Sequence, residues 1–118
     1  MSTETLEQLS ALIKQRRLRA DTDNSYVASL NAKGLDKILS KVTEESLEVA
    51  LAAKTYQLHE IPENNTHLVN ELADLWFHML VLIDYFNINY QEVLQMLDKR
   101  LNKSGIEEKK ERKHTNTH

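Results

Sequence analysis

Glu71-Leu72-Ala73-Asp74-Leu75-Trp76-Phe77-His78-Met79-Leu80-Val81-Leu82-Ile83 is the stretch that decides the fold. It holds no glycine or proline, and its composition reads as helix running from about Thr66 to Phe86. After Asp74 that helix is apolar on nearly every side, and a helix apolar all round is buried all round. A few helices of one small chain would struggle to cover it, so a homodimer is expected. The apolar run from Leu75 to Ile83 is interrupted by His78 and is too short to cross a bilayer.

Upstream, about Leu35 to Gln57 reads as a second long helix, with Leu35, Ile38, Leu39, Val42, Val49 and Ala53 on one face. Glu45 falls at the edge of that stripe, and Glu44, Glu48, Lys37 and Lys41 occupy the adjoining arc. His59 to Asn65, with Pro62, reads as the loop between the two helices, and Asn64, Asn65 or Thr66 as the cap of the next one. A first helix from about Thr3 to Arg19 turns Leu6, Leu9, Ile13 and Leu18 inward. Asp21 to Ser25 is a polar break, a short helix from Tyr26 to Ala32 stops at Gly34, and a last helix runs from Tyr90 to Asn102 with Val93, Leu94, Leu97 and Leu101 inward. Residues 1–106 form the expected domain and 107–118 a polar, loose tail.

The bulk numbers agree with an all-α domain of four to five helices in an antiparallel bundle. The chain has 118 residues, two glycines and one proline, too little turn chemistry for an all-β fold. A formal charge of −3 and a pI near 5.9 argue against nucleic-acid binding. Without cysteine, disulfides, thiolate metal sites and cysteine nucleophiles are excluded. The start, Met-Ser-Thr-Glu, carries no secretory signal, so a soluble cytoplasmic protein without membrane partners is expected.

Chemistry enters with two acidic clusters, Glu44-Glu45-Ser46-Leu47-Glu48 and Glu71-Leu72-Ala73-Asp74. Glu45 and Glu48 are three apart, as are Glu71 and Asp74, so each pair shares one helix face. One such cluster alone is usually a solvated face, with Lys41 pairing to Glu45 four residues on. The second sits against the most apolar helix of the chain, where charge is costly unless paired or metal-bound. Glu48 and Glu71 are 23 positions apart (71 − 48) across a short loop, which brings an antiparallel second helix back to the level of the first. Two facing pairs of carboxylates make an all-oxygen cage suited to Mg²⁺ and point to metal-assisted phosphate chemistry.

Glu-Glu-x-x-Glu followed by Glu-x-x-Asp is the signature of the all-α NTP pyrophosphohydrolase (MazG-like) superfamily. Within it the chain resembles the phosphoribosyl-ATP pyrophosphatases over about Leu6 to Lys109. Asp23-Asn24-Ser25-Tyr26, Leu30 with Lys33-Gly34, Lys41 to Glu48, Glu71 to His78 with Val81-Leu82, and Lys103-Ser104-Gly105 carry the likeness. Thr43 stands where that family typically has glycine, and Lys103 where arginine is common.

The resemblance implies Mg²⁺-dependent hydrolysis of the α–β phosphoanhydride of phosphoribosyl-ATP, giving phosphoribosyl-AMP and pyrophosphate early in histidine biosynthesis. It implies Glu45, Glu48, Glu71 and Asp74 as Mg²⁺ ligands. Glu44 would orient or deprotonate the attacking water, or act behind the ligands. Ser25, Tyr26, Lys33, Lys41 and Lys103 would contact the nucleotide, with Lys37 and Arg100 as further cationic candidates. Ser25 and Tyr26 serve equally as a helix cap and a core aromatic. His78, one turn beyond Asp74, is a ligand, a group behind the ligands or a satisfied interior histidine, the last being the commoner case. His114 and His118 are a weak metal pair in the tail. Two alternatives stay open: a house-cleaning pyrophosphohydrolase acting on dUTP, dCTP or damaged nucleotides, and a non-catalytic helical dimerisation module.

Overall fold

The computed structural model describes residues 3–102. Lys103, Ser104-Gly105, the polar tail and the His114/His118 pair lie outside these residues. Five helices and no strand are present among the described residues: α1 (Glu4–Arg19), α2 (Tyr26–Lys33), α3 (Leu35–Leu58), α4 (Pro62–Tyr85) and α5 (Tyr90–Leu101). They fall into two compact units, one ending at Ile88 and holding α1 to α4, the other starting at Asn89 and holding α5. No helix among the described residues is long and apolar enough to cross a membrane.

α1 carries Glu4 and Glu7 in its first turn and Arg16, Arg17 and Arg19 in its last. This is the charge order that a helix dipole favours. Ser25 caps α2: its Oγ accepts the Ala28 N–H at 3.1 Å. Gly34 both ends α2 and opens α3, at φ 94° and ψ −178°. Only glycine adopts that backbone without strain, and an added Cβ would meet nothing within 4 Å, so conformation rather than space requires glycine here.

α3 and α4 are each 24 residues long, about 36 Å at 1.5 Å per residue, and only His59 to Ile61 separates them. So short a link makes the chain double back, and the two rods pack along their length as an antiparallel hairpin. The sequence reading placed a loop as far as Asn65, but α4 already begins at Pro62. Proline suits the first helical position because its missing N–H would have no intrahelical partner there. Asn64 and Asn65 therefore do not cap α4; their side-chain amides bond the His59 carbonyl at 2.8 Å and the Tyr56 hydroxyl at 3.3 Å.

The core of this unit joins Ile13 of α1, Val27, Ala28 and Leu30 of α2, Ile38 and Ala52 of α3, and Leu80 and Val81 of α4. Arg17 ties α1 to α4, its Nε donating to Asp84 Oδ2 at 2.7 Å with both groups mostly shielded. Leu18, expected inward, is exposed, as are Leu39 and Ala53. The inward line of α3 runs instead through Ile38, Glu45 and Ala52, spaced by seven.

Within its own unit α4 is not covered all round. Val69, Leu72, Trp76 and Met79 stay exposed at helical spacing, with Trp76 at 57%. Within its own unit, α5 starts with a capping box. The Asn89 side chain accepts from the Gln91 N–H at 2.9 Å and Glu92 returns to the Asn89 N–H at 3.2 Å. Of the α5 residues expected inward only Leu94 is half-buried, while Val93, Leu97 and Leu101 are exposed. Amphipathic spacing shows which face is apolar but not whether one chain supplies its cover.

Candidate functional site

Glu45 is the anomaly on which the site is built. The spacing argument put it at the edge of the apolar stripe, whereas it lies on the central seam between Ile38 and Ala52, 7% exposed and facing α4. The seven-residue repeat of that seam, rather than the broader apolar arc, decides which side of α3 meets its neighbour. From α4, Glu71 and Asp74 come in at the same level. One carboxylate oxygen from each of Glu45, Glu71 and Asp74 lies within 4.8 Å of the others.

Glu48 completes the group by another route. Burial, first, and then the hydrogen bond and charge of Glu48, followed by Asp74 and Glu71, push the Glu45 carboxyl up to about 7. Glu71 is also raised, chiefly by its hydrogen bond to Glu48, then by burial and the Glu48 charge, with His67 opposing. Glu48 therefore acts on both Glu45 and Glu71, while the oxygens that one ion could bridge are those of Glu45, Glu71 and Asp74. Glu45 and Glu71 therefore hold their protons to higher pH than isolated carboxyls do.

A cation fits here on the evidence of the donors themselves. Oε2 of Glu45 and Oε2 of Glu71 are buried without a hydrogen-bond partner, an unusual and costly condition for charged oxygens. Every donor is a carboxylate oxygen, the chemistry of a hard divalent ion. An ion bound through contacts of about 2.0–2.6 Å keeps its oxygens within about 5 Å of each other, a spacing Glu45, Glu71 and Asp74 already have.

The remaining candidates divide. Glu44 points to solvent, its side chain 51% exposed, and Lys41 Nζ pairs with it at 3.4 Å. Lys41 was expected to reach Glu45 four residues on; because Glu45 turns into the seam, the lysine takes the carboxylate three residues on instead. Ser25 is buried with its oxygen engaged in the α2 cap. Lys33 is exposed in the last turn of α2, and Lys103 lies outside the described residues. The sequence reading missed His67, whose Nε2 approaches Glu71 Oε1 at 3.9 Å; their four-residue spacing was the available signal.

His78 is buried and satisfied at both ring nitrogens. Nδ1 lies 2.9 Å from the Asp74 carbonyl oxygen and Nε2 2.8 Å from the Tyr26 hydroxyl. It is therefore an interior histidine, yet one that borders the cluster, with Nδ1 3.7 Å from Glu45 Oε1. Tyr26 stacks on Phe77 with ring centroids 6.2 Å apart.

An all-helical chain whose hairpin gathers carboxylates from Glu-Glu-x-x-Glu and Glu-x-x-Asp has the fold of the all-α NTP pyrophosphohydrolases. More narrowly, the family model "Phosphoribosyl-ATP pyrophosphohydrolase" matches residues 6–101. The chain belongs to that family, a family of hydrolases. Among its relatives is a phosphoribosyl-ATP pyrophosphatase of Hydrogenovibrio crunogenus, 45% identical over 112 residues, which span 95% of this chain and 96% of the relative. Another, from Burkholderia orbicola, is 47% identical over 113 residues, 95% of this chain and 90% of the relative. The enzyme of that name from Azoarcus sp. is 43% identical over 110 residues, 93% and 95% of the two chains.

A raised carboxyl has a definite sign in stability. Glu45 holds its proton more tightly folded than unfolded, so its contribution is fully present below about 4.5 and is lost as pH rises through about 7. Thermal melting of the metal-free protein should therefore show a loss of stability between pH 5 and pH 8 that Glu45→Gln flattens. A Glu45→Gln curve parallel to that of the unsubstituted chain would show that Glu45 is not the group responsible.

Proposed function

We propose that this protein hydrolyses the α–β phosphoanhydride of phosphoribosyl-ATP to phosphoribosyl-AMP and pyrophosphate, with Mg²⁺ held by Glu45, Glu48, Glu71 and Asp74. The observation that carries the reading is the gathering of Glu45, Glu71 and Asp74 on the α3–α4 seam, running from buried Glu45 to exposed Asp74, with one oxygen of Glu45 and one of Glu71 buried without a hydrogen-bond partner. Relatives covering nearly the whole chain bear the name of that activity, which supports phosphoribosyl-ATP over free nucleotides as the substrate. The step belongs to histidine biosynthesis, and we place it in the cytoplasm.

Bare carboxylates repel a polyphosphate. Mg²⁺ bound among them reverses the local sign and stabilises charge on the departing pyrophosphate. The residues do the rest. Glu45 is held in the seam by the packing of α3 on α4, so its oxygens are placed before substrate arrives. Glu48, one turn beyond Glu45 on α3, raises the pKa of both Glu45 and Glu71 and would add a fourth oxygen ligand. Glu44 stands on the solvent side of the same helical turn, where a carboxylate can align or deprotonate water. Water gives its hydroxyl to phosphorus and its proton to that base, and the anhydride oxygen leaves with the pyrophosphate. Lys41 neutralises the approach to Glu44, and Lys33 and Lys103 are the nucleotide contacts assigned by family likeness, whereas the Ser25 oxygen is engaged in the α2 cap and the Tyr26 hydroxyl on His78.

A homodimer accompanies this reading. Val69, Leu72, Trp76 and Met79 form a continuous uncovered stripe on α4, and α3 exposes Leu47 and Leu51 four residues apart. Apolar area of this kind is usually an interface.

Purified protein with Mg²⁺ should release pyrophosphate from phosphoribosyl-ATP, and Glu45→Gln or Glu48→Ala should slow release by about 100-fold or more, since metal polarisation contributes several kcal/mol. Preference for dUTP, dCTP or a damaged nucleotide in a substrate panel would overturn the assignment. For the dimer, light scattering should give twice the 13.7 kDa of one chain, falling to one chain for Trp76→Glu; a monomeric unsubstituted protein would refute it.

A further inference from the structure

The carboxylates of the cluster have few hydrogen bonds of their own, and the inner oxygens of Glu45 and Glu71 have none. Their placement depends on the groups packed against them. Beside Glu45 that group is His78, whose Nδ1 lies 3.7 Å from Glu45 Oε1 and 2.9 Å from the main-chain carbonyl oxygen of Asp74.

A carbonyl only accepts, so Nδ1 carries a proton and donates it to the Asp74 oxygen. Nε2 is then the acceptor for the Tyr26 O–H at 2.8 Å. The tautomer follows from the partners rather than from any observed hydrogen. The outer torsion of a histidine side chain is broad and two-fold. Anchored at one nitrogen the ring can pivot; anchored at both, from α4 on one side and α2 on the other, it cannot. Tyr26 is itself restrained. It is the first residue of α2, whose start the Ser25 cap fixes, and its ring stacks on Phe77 and meets His78 edge-on at 5.8 Å. Half of Tyr26 is open to solvent, but its hydroxyl is committed inward.

We propose that Tyr26 is a positioning residue for the cation site: its hydroxyl fixes the His78 ring, and that ring, bonded to the main-chain carbonyl of Asp74 and 3.7 Å from Glu45 Oε1, bounds the space in which the Glu45 carboxylate sits. Tyr26 therefore acts on metal affinity through His78, not on the substrate. The proposal rests on the reading of the cluster as a cation site. It gives α2 a task in the site although α2 supplies none of the clustered carboxylates.

The test is an electron paramagnetic resonance titration of the full-length, metal-free protein with Mn²⁺, without nucleotide. Tyr26→Phe keeps the ring stack and removes only the hydroxyl. It should weaken Mn²⁺ binding by about tenfold, the lower end of what the loss of a supporting hydrogen bond costs a metal site. The metal-free melting temperature should stay within a few degrees, and KM for phosphoribosyl-ATP at saturating metal should change less than about twofold. His78→Asn, which retains a donor for the Asp74 carbonyl but not the tyrosine contact, should weaken binding as well. The double variant should be no worse than His78→Asn alone, because coupled residues are not additive. Unchanged Mn²⁺ affinity in Tyr26→Phe, with or without a raised KM, overturns the proposal, as do additive losses in the double variant. Glu45→Gln separates the two levels of the argument: Mn²⁺ binding that survives this substitution removes the cation site itself, whereas binding lost there but intact in Tyr26→Phe removes only the positioning role.

Discussion

A buried carboxylate on the seam between two long helices is the constraint around which this molecule is organised. Glu45 occupies the place that Ile38 and Ala52 fill one heptad to either side, and its Oε2 is buried with no hydrogen-bond partner among the described residues. An apolar residue there would pack the hairpin better. Keeping an acid at that level, with Glu71 and Asp74 opposite, sacrifices stability for a pre-formed nest of oxygens. The supports around the nest offset that sacrifice: the Arg17–Asp84 bridge between α1 and α4, the capped start of α2, and the doubly bonded His78.

The site and the fold are coupled through the short His59–Ile61 link. Because α4 begins immediately at Pro62, the two rods have little freedom to slide, and the level at which Glu71 meets Glu45 is set by chain length alone. A residue added in the link would move all of α4 relative to α3 and separate acids that are 26 positions apart (71 − 45) in sequence. The apolar surface of α4 serves two ends. Leu80 and Val81 face the core of the chain, while Trp76 and Met79 on the same helix remain uncovered.

Much of this was legible in the residues. Scarce glycine and proline pointed to the helical class, and the i, i+3 acid pairs on consecutive helices pointed to the level at which Glu45, Glu71 and Asp74 meet. Gly34 marked a junction because only its backbone conformation suits the turn. What escaped depended on tertiary contact. Pro62 reads as a loop signal until one sees that it occupies the first position of a helix. Glu45 looks like the rim of an apolar stripe until the partner helix selects a narrower seam. Tyr26 and His78 are 52 positions apart, and no local pattern could pair them. Val93, Leu97 and Leu101 are apolar at the right spacing, but spacing does not say what covers them.

The account comes down to whether the seam carboxylates exchange protons for a divalent cation. Calorimetric titration of Mg²⁺ into the metal-free protein near pH 6.5, repeated in buffers of different ionisation enthalpy, tests this directly, because a cation entering a set that retains protons must displace them. Saturable binding whose heat changes with the buffer, and loses that dependence in Glu45→Gln, is the expected result. Absence of saturable binding, or a heat indifferent to the buffer, would contradict it.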